Sequence, residues 1–503
     1  MARVSKKTRA RRRPAPATGA PGREDPGPLV ERLMGSLRQA VAAGDLLRAE
    51  LEAGTCMALP RIGRLAPEDA EAFVSKVLVD RAADEYSADG AAMLRLLVSL
   101  GSPATKKSAS RALAALTDAD IYPPGWVTEA GRAAPVQAWR RYDVFGDDET
   151  IVVTFRYGEA EHAIVGQVDL TGIPIVTGIG VTADAPGLIE ALSQGDDPFD
   201  RVEQIGLAEA RRHLEAPLAR CDEEAEPGLS VQTLAYLPVA RSRVRRLPAE
   251  GAAPVPVFIA ADRAAAVDEF LKSPLAGGAV AADEDAARFW AEVLTGYSSR
   301  MPGEPPGQIG PRKTAHLLLG HVPNTFGLSA AQRQHLEPAV AAWTRWSAEH
   351  HGLDEAATAR LMESLPEIFG QFGAAYDDPD AVTARSYVAD VATSDADVSE
   401  LAGHVARRLF AVPMPDPDGN DGPWDLNDPV VRRALTLAEF AECTPHAGLT
   451  HAEFMAAVHR VIAELWDDDP AETFAAARRM FASGSDRHDI IHTLAERPAA
   501  TGP

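Results

Sequence analysis

Strand-like sequence is confined to one window of this chain, and that confinement limits what the chain can build. The runs Ile151-Val-Val-Thr-Phe-Arg-Tyr157, His162-Ala-Ile-Val-Gly-Gln-Val168 and Ile173 to Val181 are β-branched and aromatic, with a turn at Gly158 between the first two. Connections so short fit an antiparallel meander, because parallel pairing needs a crossover of about a dozen residues or more. Helical patterns follow at about 185–194 and 206–220, so residues 136–221 read as an α+β module. Outside it, apolar residues recur at helical spacing. The expected fold class is mainly α: a multi-domain helical protein with one small α+β module, an antiparallel meander, in the middle.

The helical stretches divide at breaker residues. Leu29, Leu33, Leu37, Val41 and Leu47 start an N-terminal helical unit, 28–120. Its further helices run from Ala70 to Val79 behind Pro67-Glu68-Asp69, from Ala91 to Leu100 and from Ser108 to Leu116, and Tyr122-Pro123-Pro124-Gly125 ends it. A helical connector, 229–299, and a helical unit, 312–411, follow the α+β module. In the latter, Trp343 and Trp346 share a helix face as core anchors. The run Val412-Pro-Met-Pro-Asp-Pro-Asp-Gly-Asn-Asp-Gly-Pro423 marks a linker, 412–428, before a C-terminal helical unit, 429–503. A length of 503 residues agrees with several folded units.

Charge separates the ends of the chain. The first 27 residues carry eight Lys/Arg and two acids, a local charge of +6, and the remainder stands at −29. The leader is rich in Pro and poor in large apolar residues, so 1–27 is expected to be a disordered basic tail. Arg9, Arg11, Arg12 and Arg13 offer a polyanion contact, but a solvated leader has the same composition and is the preferred reading. The acidic body repels nucleic acid, which leaves the tail as a weak, nonspecific binder. With no apolar segment behind the basic residues and no run approaching 18 apolar residues, neither a secretory signal nor a membrane span is expected. Cys56, Cys221 and Cys443 lie far apart, which excludes a disulfide scaffold and fits a cytoplasmic setting.

Motifs that carry chemistry are mostly missing. No P-loop, nucleophile elbow or kinase signature occurs. Gly178-Ile-Gly180-Val-Thr-Ala183 is the nearest dinucleotide fingerprint, but Pro186-Gly187 delays the helix that should follow, so an ordinary strand-to-helix turn fits better. Gly146-Asp147-Asp148 is similar to the acidic turn by which some polymerases hold metal. Two-metal chemistry needs a further acidic cluster, and Asp169 is the one obvious partner, so a turn into the Ile151 strand is preferred.

Histidines are more informative. His446, His451, His459, His488 and His492, five of the 13, fall in the last 58 residues. His488 and His492 share a helix face, as in a zincin, but Asp489 stands where that motif needs Glu, and the one third-ligand candidate downstream is Glu496 at the end of the helix. The downstream Asp of an HD phosphohydrolase is missing too. What remains is a candidate metal set of His459, His488 and His492, with Cys443 and His446 as accessories. Zinc would suit it, although the sequence requires no cofactor. The same imidazoles serve as polar core ties if they bond to carboxylates or carbonyls, and that reading is preferred.

Two segments carry a resemblance. His459-Arg-Val-Ile-Ala-Glu-Leu through Asp469-Pro470, Arg478-Arg-Met-Phe-Ala-Ser-Gly484 and Arg487-His-Asp-Ile-Ile-His492 resemble a helical His-containing bacterial domain of unknown function. Asp143-Val-Phe-Gly-Asp, Val153-Thr-Phe-Arg-Tyr157, His162-Ala and Val168-Asp-Leu170 look like a recurrent part of a family of large uncharacterised actinobacterial proteins. The resemblance implies a helical C-terminal unit and no activity. Together these features lead to the expectation of a cytoplasmic, non-catalytic interaction or regulatory protein whose partner is another protein, with no membrane. The alternative is a metal-binding enzyme or sensor that uses the C-terminal histidines.

Overall fold

The computed structural model describes residues 27–62, 67–195, 197–223, 229–301, 303–388, 398–413, 424–441, 443 and 449–496. The chain folds as a mainly helical protein with one antiparallel sheet, in two compact units. Unit 1 runs to Ala133 and takes in Leu229–Arg246, and unit 2 holds Ala134–Gly228 and everything from Leu247 onward. These units cut across the sequential segments expected above.

Unit 1 is helical. Gly27–Ala43 and Leu46–Ile62 are followed by Pro67–Phe73, which runs through a π-turn at Val74–Leu78 into Val79–Asp84, and then by Ala88–Leu100 and Pro103–Asp118. Ser87 and Ser102 cap the last two, their hydroxyls accepting the amides of Gly90 and Thr105 at 3.1 Å. Leu37, Met93, Leu94 and Leu96 fill the core. The Val231–Val244 helix, which the periodicity assigns to a connector, packs here against Leu46–Ile62. Two features bring it in. A Cβ on Gly54 would lie 2.5 Å from the Ala235 carbonyl oxygen, so only glycine permits so close an approach. Beside it Arg243 pairs with Glu50, both wholly buried, and Glu50 also accepts the Gly131 amide at 2.8 Å.

Unit 2 begins with the sheet. Its strands are β1 (Ala134–Asp143), β2 (Asp148–Tyr157), β3 (Ala160–Asp169), β4 (Ile175–Thr182) and β5 (Asp200–Ile205), in the order β4-β3-β2-β1-β5 with every pair antiparallel. The expected meander is β2-β3-β4. The pattern misses β5 because Asp-Arg-Val-Glu-Gln-Ile is a polar edge strand, and it misses β1 because its side chains are mostly half-exposed. Helices cover both faces of the sheet. Leu207–Glu223 lies on one, where Gly166 makes room for Leu214, and Ala185–Ser193 lies on the other against Val152 and Ala163. Hence Ile151, Val152 and Val153 are all buried, and β2 reads as a continuous apolar run.

Helices build the rest of unit 2. Trp343 and Trp346 anchor one core as expected, with Phe270 edge-on to Trp343 at 4.9 Å. The last core gathers Val398–Ala411, Pro429–Phe440, His451–Asp467, Ala471–Ala482 and Arg487–Ala495, together with Tyr387 and Val388, which follow the Pro379–Ser386 helix. The guanidinium groups of Arg408 and Arg432 lie 4.4 and 4.9 Å from the centroid of its Trp466 ring. The expected linker is partly built into this core. Val412 and Leu426 are buried, and Tyr387 donates a hydrogen bond to the Val412 carbonyl at 2.9 Å, while 414–423 lie outside the described residues.

Candidate functional site

The chain turns from β1 into β2 at the end of the sheet, and a cleft of about 490 Å³ opens there. Asp143 ends β1, and its carboxylate accepts the amides of Phe145 at 2.7 Å, Asp147 at 3.1 Å and Asp148 at 3.0 Å. Gly146 supplies the positive φ that this tight turn needs. The turn carries Asp147 inward until it is only 2% exposed. There it meets the Pro311–His316 helix, which cannot cap itself. Gly310 in the cap position has no side chain, and Pro311 has no amide hydrogen. The next two amides, of Arg312 and Lys313, therefore donate to Asp147 at 2.7 and 3.0 Å. A side chain on residue 310 would run into that carboxylate.

Polar groups line the recess in pairs. Arg312 donates to Asp148 at 2.6 Å and to Asp169 at 2.7 Å, bridging β2 and β3, while Arg141 donates to Asp200 at 2.6 Å, tying β1 to β5. Glu149, buried on β2, accepts Arg140 Nε at 2.7 Å and lies 2.8 Å from His213 Nδ1. Burial opposes its charge, but His213 and Arg140 prevail and hold the carboxyl below the usual range. Asp147 moves the other way. Burial first, and then the Asp143 carboxylate, push it up to about 7 against the two amides that favour its charged form. Burial and Asp143 also raise Asp148, with Arg312 opposing. In all, seven acidic side chains and three arginines, Arg141, Arg312 and Arg360, line the cleft, and the rings of Phe145 and Phe199, with centroids 5.3 Å apart, add an aromatic wall.

Such a recess suits a cation, because the carboxylates exceed the arginines and an aromatic face adds to the attraction. The acidic turn was legible as a turn, with Asp169 as its neighbour. Arg312 was not, because nothing local says that a helix beginning Gly310-Pro311 borrows its cap from a strand turn 165 residues away. The uncapped start was the one available signal.

The C-terminal histidines do not meet. His459 faces the Pro429–Phe440 helix, where burial, and next the charge of Arg433, lower its pKa. His488 stacks on Phe440, with ring centroids 4.5 Å apart, and its Nε2 lies 3.2 Å from Cys443 Sγ. His492 packs on Phe454 at 4.6 Å and lies 3.3 Å from Glu496. Among the described residues no group of three or more His, Cys, Asp or Glu is placed to hold a metal ion. The expected convergence of His459 with His488 and His492 therefore fails among the described residues, because each imidazole faces a different neighbouring side chain. His446 and the tail residues Arg9, Arg11, Arg12 and Arg13 lie outside the described residues. No described helix is long and apolar enough to cross a membrane.

Compared with known proteins, the chain matches no family model, no curated protein and no solved structure.

Proposed function

We propose that this is a non-catalytic interaction protein of the cytoplasm and that the acidic cleft of unit 2 receives a cationic segment of a protein partner. The observation that carries this reading is the excess of carboxylates in a concave recess beside the Phe145–Phe199 wall. A guanidinium or ammonium group placed there gains charge-assisted hydrogen bonds to carboxylates and a contact with an aromatic face. Arg312 and Arg141 already occupy Asp148, Asp169 and Asp200 in this way, so the cleft displays the chemistry it would offer an incoming arginine. Three free cysteines agree with a reducing compartment.

Titration of the full chain with a fluorescent hexa-arginine peptide tests the proposal. Binding should weaken steeply with added salt and fall about fivefold or more in an Asp148→Asn/Asp197→Asn variant, since each removes a cleft carboxylate. Failure of the peptide to bind at low salt, or equal binding by the variant, rejects the reading.

A further inference from the structure

The C-terminal part of unit 2 holds a thiol that the cleft does not use. Cys443 lies just past the Pro429–Phe440 helix and is only partly buried, whereas Cys56 and Cys221 are buried. Its Sγ is 3.2 Å from His488 Nε2. Across the ring, His488 Nδ1 lies 3.6 Å from a carboxylate oxygen of Glu439. The ring plane is held by Phe440, parallel to it within 9°. The carboxylate is held too. Arg487 donates to Glu439 while its other nitrogens bond the carbonyls of Phe410 at 2.5 Å and Ala411 at 2.6 Å. An anionic group beside Nδ1 favours the proton on that nitrogen, which leaves Nε2 as an acceptor facing the thiol. A nucleophile in contact with a base, and the base beside an orienting acid, make the arrangement by which thiols and hydroxyls are activated.

We propose that Cys443, with His488 as its base and Glu439 positioning the imidazole, is a nucleophilic thiol that takes up small uncharged disulfides by thiol–disulfide exchange. In that step the thiol proton passes to His488 Nε2 as Sγ bonds one sulfur of the disulfide. The S–S bond breaks, and the departing sulfur takes the electron pair and then the proton. The products are a mixed disulfide on Cys443 and one small free thiol, with the disulfide itself as the only oxidant. Burial, and next the Glu439 charge, hold the thiol above its ordinary pKa. The resting group is therefore S–H, and reactivity at neutral pH depends on the base it touches. Glu439 also disfavours anionic reagents, and the side chain of His488, 41% exposed, leaves a small molecule room to approach.

Dithiodipyridine, an uncharged disulfide whose released thiol is followed by absorbance, is the probe, with intact-mass and peptide mapping to locate the adduct. The full-length native protein should label at Cys443 alone. His488→Phe, which keeps a ring against Phe440 but removes the base, should slow that labelling about tenfold or more, and His488→Gln should do the same. Protection of Cys56 and Cys221 reports that each variant is folded. Equal rates in the native protein and in either folded variant, or first labelling at Cys56 or Cys221, would overturn the proposal.

Discussion

Each unit contains an arginine bonded to carboxylates, and the two groupings differ almost entirely in their surroundings. In unit 1, Glu50 and Arg243 are 0% exposed and tie together helices that lie 193 residues apart in the chain. In unit 2, Arg312 bridges Asp148 and Asp169 at the mouth of a cleft, with the Arg312 and Asp148 side chains each 52% exposed. The chemistry is the same, but water takes over most of the second interaction and none of the first. A buried pair is costly to break because the survivor is stranded in a medium of low dielectric, while an exposed pair can exchange partners at little cost. Unit 1 therefore uses its pair to hold a discontinuous fold, and unit 2 keeps its pair where a competing cation can reach it.

The largest expected effect breaks the buried grouping. Glu50→Ala should destabilise unit 1 by about 3–5 kcal/mol in denaturant unfolding, because it strands the Arg243 guanidinium and the Gly131 amide. A loss below about 1 kcal/mol would show that water enters the pair, and the contrast between the units would collapse.

An intermediate effect sharpens the contrast inside unit 2, where Asp147 is buried although the adjoining Asp148 and Arg312 are exposed. Its carboxyl titrates at about 7 in the folded chain against 3.8 in the unfolded one. Between those values the folded state binds the more protons, so its contribution to stability is complete below 3.8 and is lost as pH rises through about 7. Asp147→Asn should abolish this slope. From pH 5 to pH 8 the native protein should lose about 1–3 kcal/mol relative to the variant, as read by thermal or urea unfolding at each pH. Parallel curves for the two proteins would refute the burial argument.

The smallest effect belongs to the exposed grouping. Arg312→Ala should cost less than about 1 kcal/mol, and high salt should erase most of the difference. Because it frees Asp148 and Asp169, the same variant should bind hexa-arginine more tightly than the native chain does. Weaker binding would mean that Arg312 orders the cleft rather than competing for it.

Helical periodicity, the β-branched window and the turn at Gly158 determined the class of fold, the β2-β3-β4 meander and the burial of Trp343 and Trp346, since these depend on spacing along one element. The polar strands β1 and β5 left no such trace, and neither did the docking of Val231–Val244 onto Leu46–Ile62. Both depend on what the rest of the chain presents: a hydrogen-bonding edge for β5, and for the helix the close approach at Gly54 and the partner Glu50. The histidines show the same division. Their clustering near the C-terminus is a property of the sequence, but which one touches Cys443 and which faces Arg433 or Phe454 depends on helix rotation and crossing, and those are set by the buried side chains of the neighbouring helices. Tertiary structure likewise gathered the carboxylates of the cleft. Local pattern shows how a segment coils, whereas the meeting of distant charges is decided only when the core has closed around them.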